Sequence, residues 1–218
     1  GSSIGKYNFV NTIAFDSKGT LWIGATSGLY KYNMEEFVLV EVPNILCVTE
    51  LVIDEKDNMY VAGFKGKKFA TGAGGLSIFD GTDWKNYNPD NSELTKHFVE
   101  DITLDNKGNV WMVAGVQDNG VTKFDGTTWT HYDKENSGLQ SNTIRAIEFD
   151  SKGVAWFGTP KGLVSFDGEN WVTTSMKDVV MAMVFPGLAK LVAEPELLSI
   201  AIDKNDIMWI GTEGEGVI

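Results

Sequence analysis

The chain has 218 residues, 43% of them hydrophobic, with a formal charge of −12 and a pI near 4.6. That length can bury a sizeable core, whereas so negative a field repels phosphate backbones and excludes nucleic acid as an expected partner. A lone Cys47 forms no intrachain disulfide, and the longest apolar run, from Val179, is too short to span a bilayer and is interrupted at Pro186-Gly187. The opening Gly1-Ser2-Ser3 without an initiating Met reads as a tag remnant on a trimmed chain.

The first predicted element is a strand, turn and strand, FDSKGTLWIGATSGLYKY from Phe15 to Tyr32. It returns at Phe149–Phe166 as FDSKGVAWFGTPKGLVSF, with looser copies from Ile53, Leu104 and Ile202. Aligned on the turn aspartates Asp16, Asp54, Asp105, Asp150 and Asp203, the copies lie 38, 51, 45 and 53 residues apart. Six residues after each Asp stands an aromatic: Trp22, Tyr60, Trp111, Trp156 and Trp209. A period in the forties made of short strand-like runs predicts propeller blades rather than a helical solenoid.

The fourth copy is the fullest and breaks into four strands, TIRAIEFD, VAWFGT, GLVSFD and NWVTTS, with Asp167-Gly168 as the tight turn before the last. Four antiparallel strands make one blade. A single blade is too small to fold alone, so its aromatics must be buried against neighbouring blades; Trp111 and Trp156 are expected there. The fold class is therefore all-β, a β-propeller of four-stranded antiparallel blades with five blade positions, in one domain over 1–218. The repeats run approximately 9–42, 48–88, 98–133, 143–175 and 197–218, with an insertion at 176–196 that breaks the period. The fifth blade is incomplete: it stops where a third strand begins, and no strand before Phe9 is available to close it.

This pattern (an apolar strand, then Asp-x-Lys-Gly, an apolar residue, Trp-Ile-Gly-Thr, Gly-Leu, and finally Phe-Asp-Gly and Trp) resembles the two-component-regulator propeller repeat. That family forms the extracytoplasmic sensor region of bacterial hybrid histidine kinases and occurs in related secreted proteins. The resemblance covers nearly all of the chain except 176–196. It implies a bacterial, periplasmic or secreted sensing module that recognises a small molecule, a carbohydrate or a protein, and the family's habits favour carbohydrate. Its members carry more repeats than this chain does, together with a membrane helix and a kinase.

Candidate chemistry is sparse. The DSKG-type turns offer one or two carboxylates each, too few for a calcium loop. An Asp bonding its own turn backbone accounts for them, so no metal and no cofactor is expected. Glu50 and Asp101 hold the same place in their inner strands, four residues before the turn Asp, and Arg145 lies five before its own. Facing a central channel, these groups could gather around a ligand; equally, they could bond blade to blade. His97 and Phe98 stand where an inner strand enters. Lys65, Lys67 and Lys68 form the one basic cluster, in a long Gly-rich connection. No Ser-His-Asp order, HExxH motif or P-loop accompanies the histidines.

Strand direction supplies a geometric expectation. Turns after the first and third strands of each blade, the repetitive Asp turns, emerge on one face. The connections after the second and fourth emerge on the other: 63–75, 88–97, 115–120, 133–142 and 176–196. Irregular loops on a rigid scaffold usually carry recognition, which places ligand binding at Lys65, Lys67, Lys68, His97, Phe98, Gln117 and Asp118, with Glu50, Asp101 and Arg145 at the channel. The reading is a non-catalytic binding module. The alternative is a propeller enzyme, like streptogramin lyases or sugar-acting propellers, whose general acid and base would meet at the channel mouth. The apolar 176–196 insertion and the open fifth blade are the expected places for self-association.

Overall fold

The computed structural model describes residues 8–66, 73–114, 119–174, 197–213 and 216–217. Among them there is no helix, and hence none long and apolar enough to cross a membrane. The described residues form nineteen strands that follow one another in the order of the repeat. The first sheet is β1 (Val10–Phe15), β2 (Leu21–Ala25), β3 (Gly28–Tyr32) and β4 (Phe37–Val40). The second is β5 (Cys47–Ile53), β6 (Met59–Phe64), β7 (Gly74–Phe79) and β8 (Trp84–Tyr87). The third is β9 (Val99–Leu104), β10 (Val110–Ala114), β11 (Val121–Phe124) and β12 (Trp129–Tyr132). The fourth is β13 (Ala146–Phe149), β14 (Ala155–Thr159), β15 (Gly162–Phe166) and β16 (Trp171–Thr174). The fifth has three strands, β17 (Leu197–Ile202), β18 (Met208–Thr212) and β19 (Gly216–Val217). These are propeller blades, the fifth incomplete. The chain divides into two compact units, the first holding β1–β9 and the second most of β10 together with β11–β19.

Each repeat closes on its aspartate. Asp105 Oδ1 accepts the Lys107 and Asn109 amides, each at 2.9 Å, while Oδ2 accepts Asn109 Nδ2 at 2.7 Å and the Trp111 indole at 3.1 Å. The Trp22 and Trp156 indoles donate in the same way to Asp16 and Asp150, both at 3.2 Å, and Tyr60 reaches Asp54 at 3.4 Å. The six-residue spacing thus has a cause: one carboxylate organises the turn and fixes the aromatic that leaves it. Glycines at positive φ complete three of these turns (Gly19, Gly108 and Gly153). Asp57 and Asp206 take that left-handed place in the second and fifth, at φ 64° and 60°, a conformation that short polar side chains tolerate best after Gly. Each is clamped by the preceding blade, Asp57 by the Ser17 amide and hydroxyl at 2.7 Å and Asp206 by those of Ser151 at 2.8 and 2.6 Å.

The aromatics then join blade to blade. Trp111 is 3% exposed and lies edge-on to Phe149, 5.7 Å away, in a core with Ile147, Phe157 and Val164. Trp22 fills the equivalent core with Leu51, Val61 and Ile53. Trp156 differs from the expectation of full burial: it is half-buried, packing on the cluster around Ile200 and Ile210 in a blade of three strands instead of four. In the second, third and fourth blades, the last hairpin is pinned by a ring pair: Phe79–Trp84 at 5.0 Å, Phe124–Trp129 at 4.2 Å and Phe166–Trp171 at 4.3 Å.

Candidate functional site

The inner strands carry an irregularity that aims their polar side chains. In β1 the register jumps between Val10 and Thr12, in β5 between Val48 and Glu50, and in β17 between Leu197 and Ser199. The extra residue, Asn11, Thr49 or Leu198, is always five before the turn Asp, and such bulges redirect the side chains beside them. Asn11 Nδ2 donates to the Val48 carbonyl at 2.6 Å, and the Thr49 hydroxyl donates to the Val99 carbonyl at 2.6 Å. The Thr12 hydroxyl donates to Glu50, which also accepts the Leu51 amide at 2.9 Å. The first two inner strands are therefore stitched to their successors by Asn11, Thr12 and Thr49, with Glu50 the one member of this set that the sequence reading singled out.

Glu50 is held between these roles. Burial pushes its carboxyl above the usual carboxylate range, against the pull of the bonds from Thr12 and Leu51. A carboxyl raised on folding gives stability that is present below its unfolded pKa and lost as pH rises through its folded value. Glu50→Gln, which keeps an acceptor for Thr12, should therefore raise the melting temperature at pH 7. The advantage should shrink on acidification through the carboxylate range, as seen in paired thermal melts. An advantage independent of pH would refute it.

A second cluster sits where β6, β7 and β9 meet in the first unit. The Lys65 amide donates to the Ala73 carbonyl at 2.6 Å, closing the base of the long connection, and leaves the Lys65 side chain exposed. Gly74 is pressed against the next inner strand: a Cβ there would lie 2.4 Å from the His97 carbonyl, so only glycine fits. Phe98 is buried, its ring edge-on to Phe64 at 5.3 Å. The half-buried His97 ring turns Nε2 toward Asp90, 3.9 Å away, while Nδ1 is buried and meets no hydrogen-bond partner among the described residues. A buried polar atom without a partner is rare and asks for a ligand or solvent. Together these groups form an aromatic wall, a buried imidazole nitrogen without a partner among the described residues, and the exposed Lys65 side chain.

The other expected residues are placed less tightly. Asp101 is half-buried in β9, and Arg145 is exposed, its amide bonded to the Gly158 carbonyl at 2.8 Å. Lys67, Lys68, Gln117 and Asp118 lie outside the described residues, as does the 176–196 insertion. Among the described residues, no group of three or more His, Cys, Asp or Glu is arranged to hold a metal ion.

Two of the connections read as irregular turn out to be copies. Asn91 accepts the Asn88 amide at 2.8 Å, and Asn136 the Asp133 amide at 2.9 Å. Ser92 and Ser137 cap the same loops by donating to the carbonyls of Asn88 and Asp133, and Leu94 and Leu139 are buried. The shared Asn-Ser-x-Leu was the missed signal. The opposite face is not featureless either: a cleft of about 260 Å³ among the Asp turns of the second unit is lined by Lys107, Lys123, Lys152, Tyr132, Phe149 and Phe166.

Comparisons with known proteins agree with this architecture. The extracellular domain of a one-component system from B. thetaiotaomicron superposes with a TM-score of 0.70 at 19% identity, covering 95% of this chain and 27% of that one. The extracellular domain of a hybrid two-component system from the same organism gives 0.68 at 15% identity, covering 96% and 27%. Virginiamycin B lyase from Staphylococcus aureus gives 0.66 at 14% identity, covering 95% and 64%. This chain thus spans about a quarter of the extracellular domains it resembles. No curated protein matches it in sequence. The model of the two component regulator propeller matches residues 5–27 and 138–161, the first and fourth turns of the repeat. With Asp, Trp and Gly of both turns in their structural roles, the chain has a β-propeller fold in which these two segments are similar to the two component regulator propeller.

Proposed function

We propose that the chain is a non-catalytic, extracytoplasmic recognition module that binds a polar ligand, a carbohydrate or a peptide, at the loops around His97. The observation that carries this reading is the buried Nδ1 of His97 without a partner, beside the Phe64–Phe98 pair. Apolar rings flanking a few aimed polar groups are the usual makings of such a site, and Lys65 adds a charge at its rim. The likeness to extracellular domains of bacterial one- and two-component systems supports the compartment. Asp101 and Arg145, with Lys67, Lys68, Gln117 and Asp118, belong to the proposed surface through their positions in the repeat.

The enzyme reading has weaker support. It rests on the lyase-like fold, but the imidazole faces Asp90 and Glu50 is engaged by Thr12 and Leu51. The test is a glycan and peptide array probed with wild type, Lys65→Glu, His97→Gln and Lys152→Glu. A captured ligand should bind the first two variants about 5- to 100-fold more weakly, a loss of about 1–3 kcal/mol per good contact, and should bind Lys152→Glu unchanged. Loss confined to Lys152→Glu would move the site to the Asp-turn face. Turnover of a captured ligand, abolished by His97→Gln, would replace the binding reading by the catalytic one.

A further inference from the structure

Two of the joints between blades are closed by the same device, and a third lacks it. Ser17 and Ser151, each one residue after a turn Asp, donate to Asp57 and Asp206, each three residues after the turn Asp of the next blade. Between the third and fourth blades the corresponding residues are Asn106 and Gly153. Gly153 keeps the left-handed backbone of the clamp, with φ 80° against 64° at Asp57 and 60° at Asp206. It supplies no carboxylate. Part of the vacated space is taken by Asn106, whose Nδ2 would lie 2.5 Å from a Cβ at Gly153.

The cleft of about 260 Å³ opens at this joint, and its lining lies wholly in the second unit. Lys107 and Lys152 stand in it two residues after their turn aspartates, and Lys123 lies over the Trp111 ring. The joint between the first and second blades has lysines at the same three places: Lys18, Lys56, and Lys31 over the Trp22 ring at 5.2 Å. There the chain provides its own carboxylate, Asp57. The two aspartates that line the cleft are already engaged. Asp105 accepts four hydrogen bonds, and Asp167 Oδ1 accepts the Glu169 and Asn170 amides at 2.9 and 2.7 Å. Among the described residues, none of the three lysines forms an ion pair. Three ammonium groups converging without a partner, in a chain of net charge −12, favour an anion.

We infer that this cleft binds a small organic carboxylate, its anionic end at Lys107 and Lys152 and its body against Tyr132, Phe149 and Phe166. The bound carboxylate fills the part that Asp57 and Asp206 play in the other two joints. The cleft is just smaller than the pockets of roughly 300–1,000 Å³ that hold drug-sized ligands, which limits the occupant to about one ring. This site goes beyond the one at His97: it belongs to the other unit and takes its own ligand, so either reading can fail alone.

The experiment is isothermal titration of the full chain with glucuronate and benzoate, two ring carboxylates, against glucose and acetate. Wild type should bind at least one ring carboxylate about 10-fold or more tightly than glucose, which lacks the charge, and acetate, which lacks the ring. Lys107→Glu, on an exposed turn, should weaken that binding about 10-fold or more. Lys161→Glu, outside the cleft, should leave it unchanged. The decisive variant joins Asn106→Ser to Gly153→Asp and so rebuilds the clamp of the other joints. It should lose the ligand and melt at a higher temperature than the unliganded wild type, because its own carboxylate takes the ligand's place. Absence of binding by both ring carboxylates at about 10 mM would overturn the inference. So would glucose or acetate binding equally well, affinity indifferent to Lys107→Glu, or a stabilised double variant that binds like wild type.

Discussion

Replacing Trp111 by Ala should cost about 3–5 kcal/mol of folding stability, the range for emptying a large aromatic from a core. Its ring touches Tyr132, Phe149, Phe157 and Phe166, so little can collapse into the space without breaking other contacts. Lys123 also lies over the ring, 5.4 Å from its centre. The matched control is Trp209→Ala, at the same place in the repeat but half exposed; measured at low protein concentration, it should cost less than about 1 kcal/mol. Urea denaturation of the three proteins gives both values. Equal losses would mean that position in the repeat, rather than the covering blade, sets the stability.

Asp105→Ala is the second large effect, with an expected loss of about 2–3 kcal/mol. The carboxylate accepts four hydrogen bonds, two from amides and two from side chains. Bonds to a charged acceptor are stronger than neutral ones, and the orphaned donors add a desolvation cost. Burial opposes the charge of Asp105, but the bonds from Asn109, Trp111 and Lys107 outweigh it and hold the carboxyl below its ordinary value. Asp16 and Asp54 are depressed against burial in the same way, by bonds from Thr20 and Trp22 and from Asn58. A depressed carboxyl contributes stability that is present above its unfolded pKa and lost as pH falls through its folded one. Wild type should therefore lose stability below the ordinary carboxylate range, and Asp105→Ala should show a shallower acid limb. Parallel acid limbs would refute the charge-assisted role.

Much of the fold was legible because the repeat is written in residues with one job each. Asp, Gly and Trp at fixed offsets mark turn, reversal and joint, and the strands between them alternate. What was not legible involves partners distant in sequence. The bulges at Asn11, Thr49 and Leu198 leave no trace in alternation, since one extra residue only shifts the pattern. Asp57 and Asp206 stand where Gly is expected, and their clamps by Ser17 and Ser151 join residues 40 and 55 positions apart. The candidate site was half legible. His97 and Phe98 could be placed at the start of an inner strand, but the orphaned Nδ1 depends on burial by neighbours that no local pattern names. The loops at 88–97 and 133–142 looked variable because their shared Asn-Ser-x-Leu is short and set among unlike residues.

The repeated Asp and Trp serve the scaffold as a bonded pair. A double-mutant cycle on Asp105→Ala and Trp111→Phe, read by urea denaturation, tests it most directly. Phe keeps most of the packing and removes only the indole donor. The Asp105–Trp111 bond should appear as a coupling of about 1–2 kcal/mol between the two positions, and strictly additive losses would contradict the bonded pair.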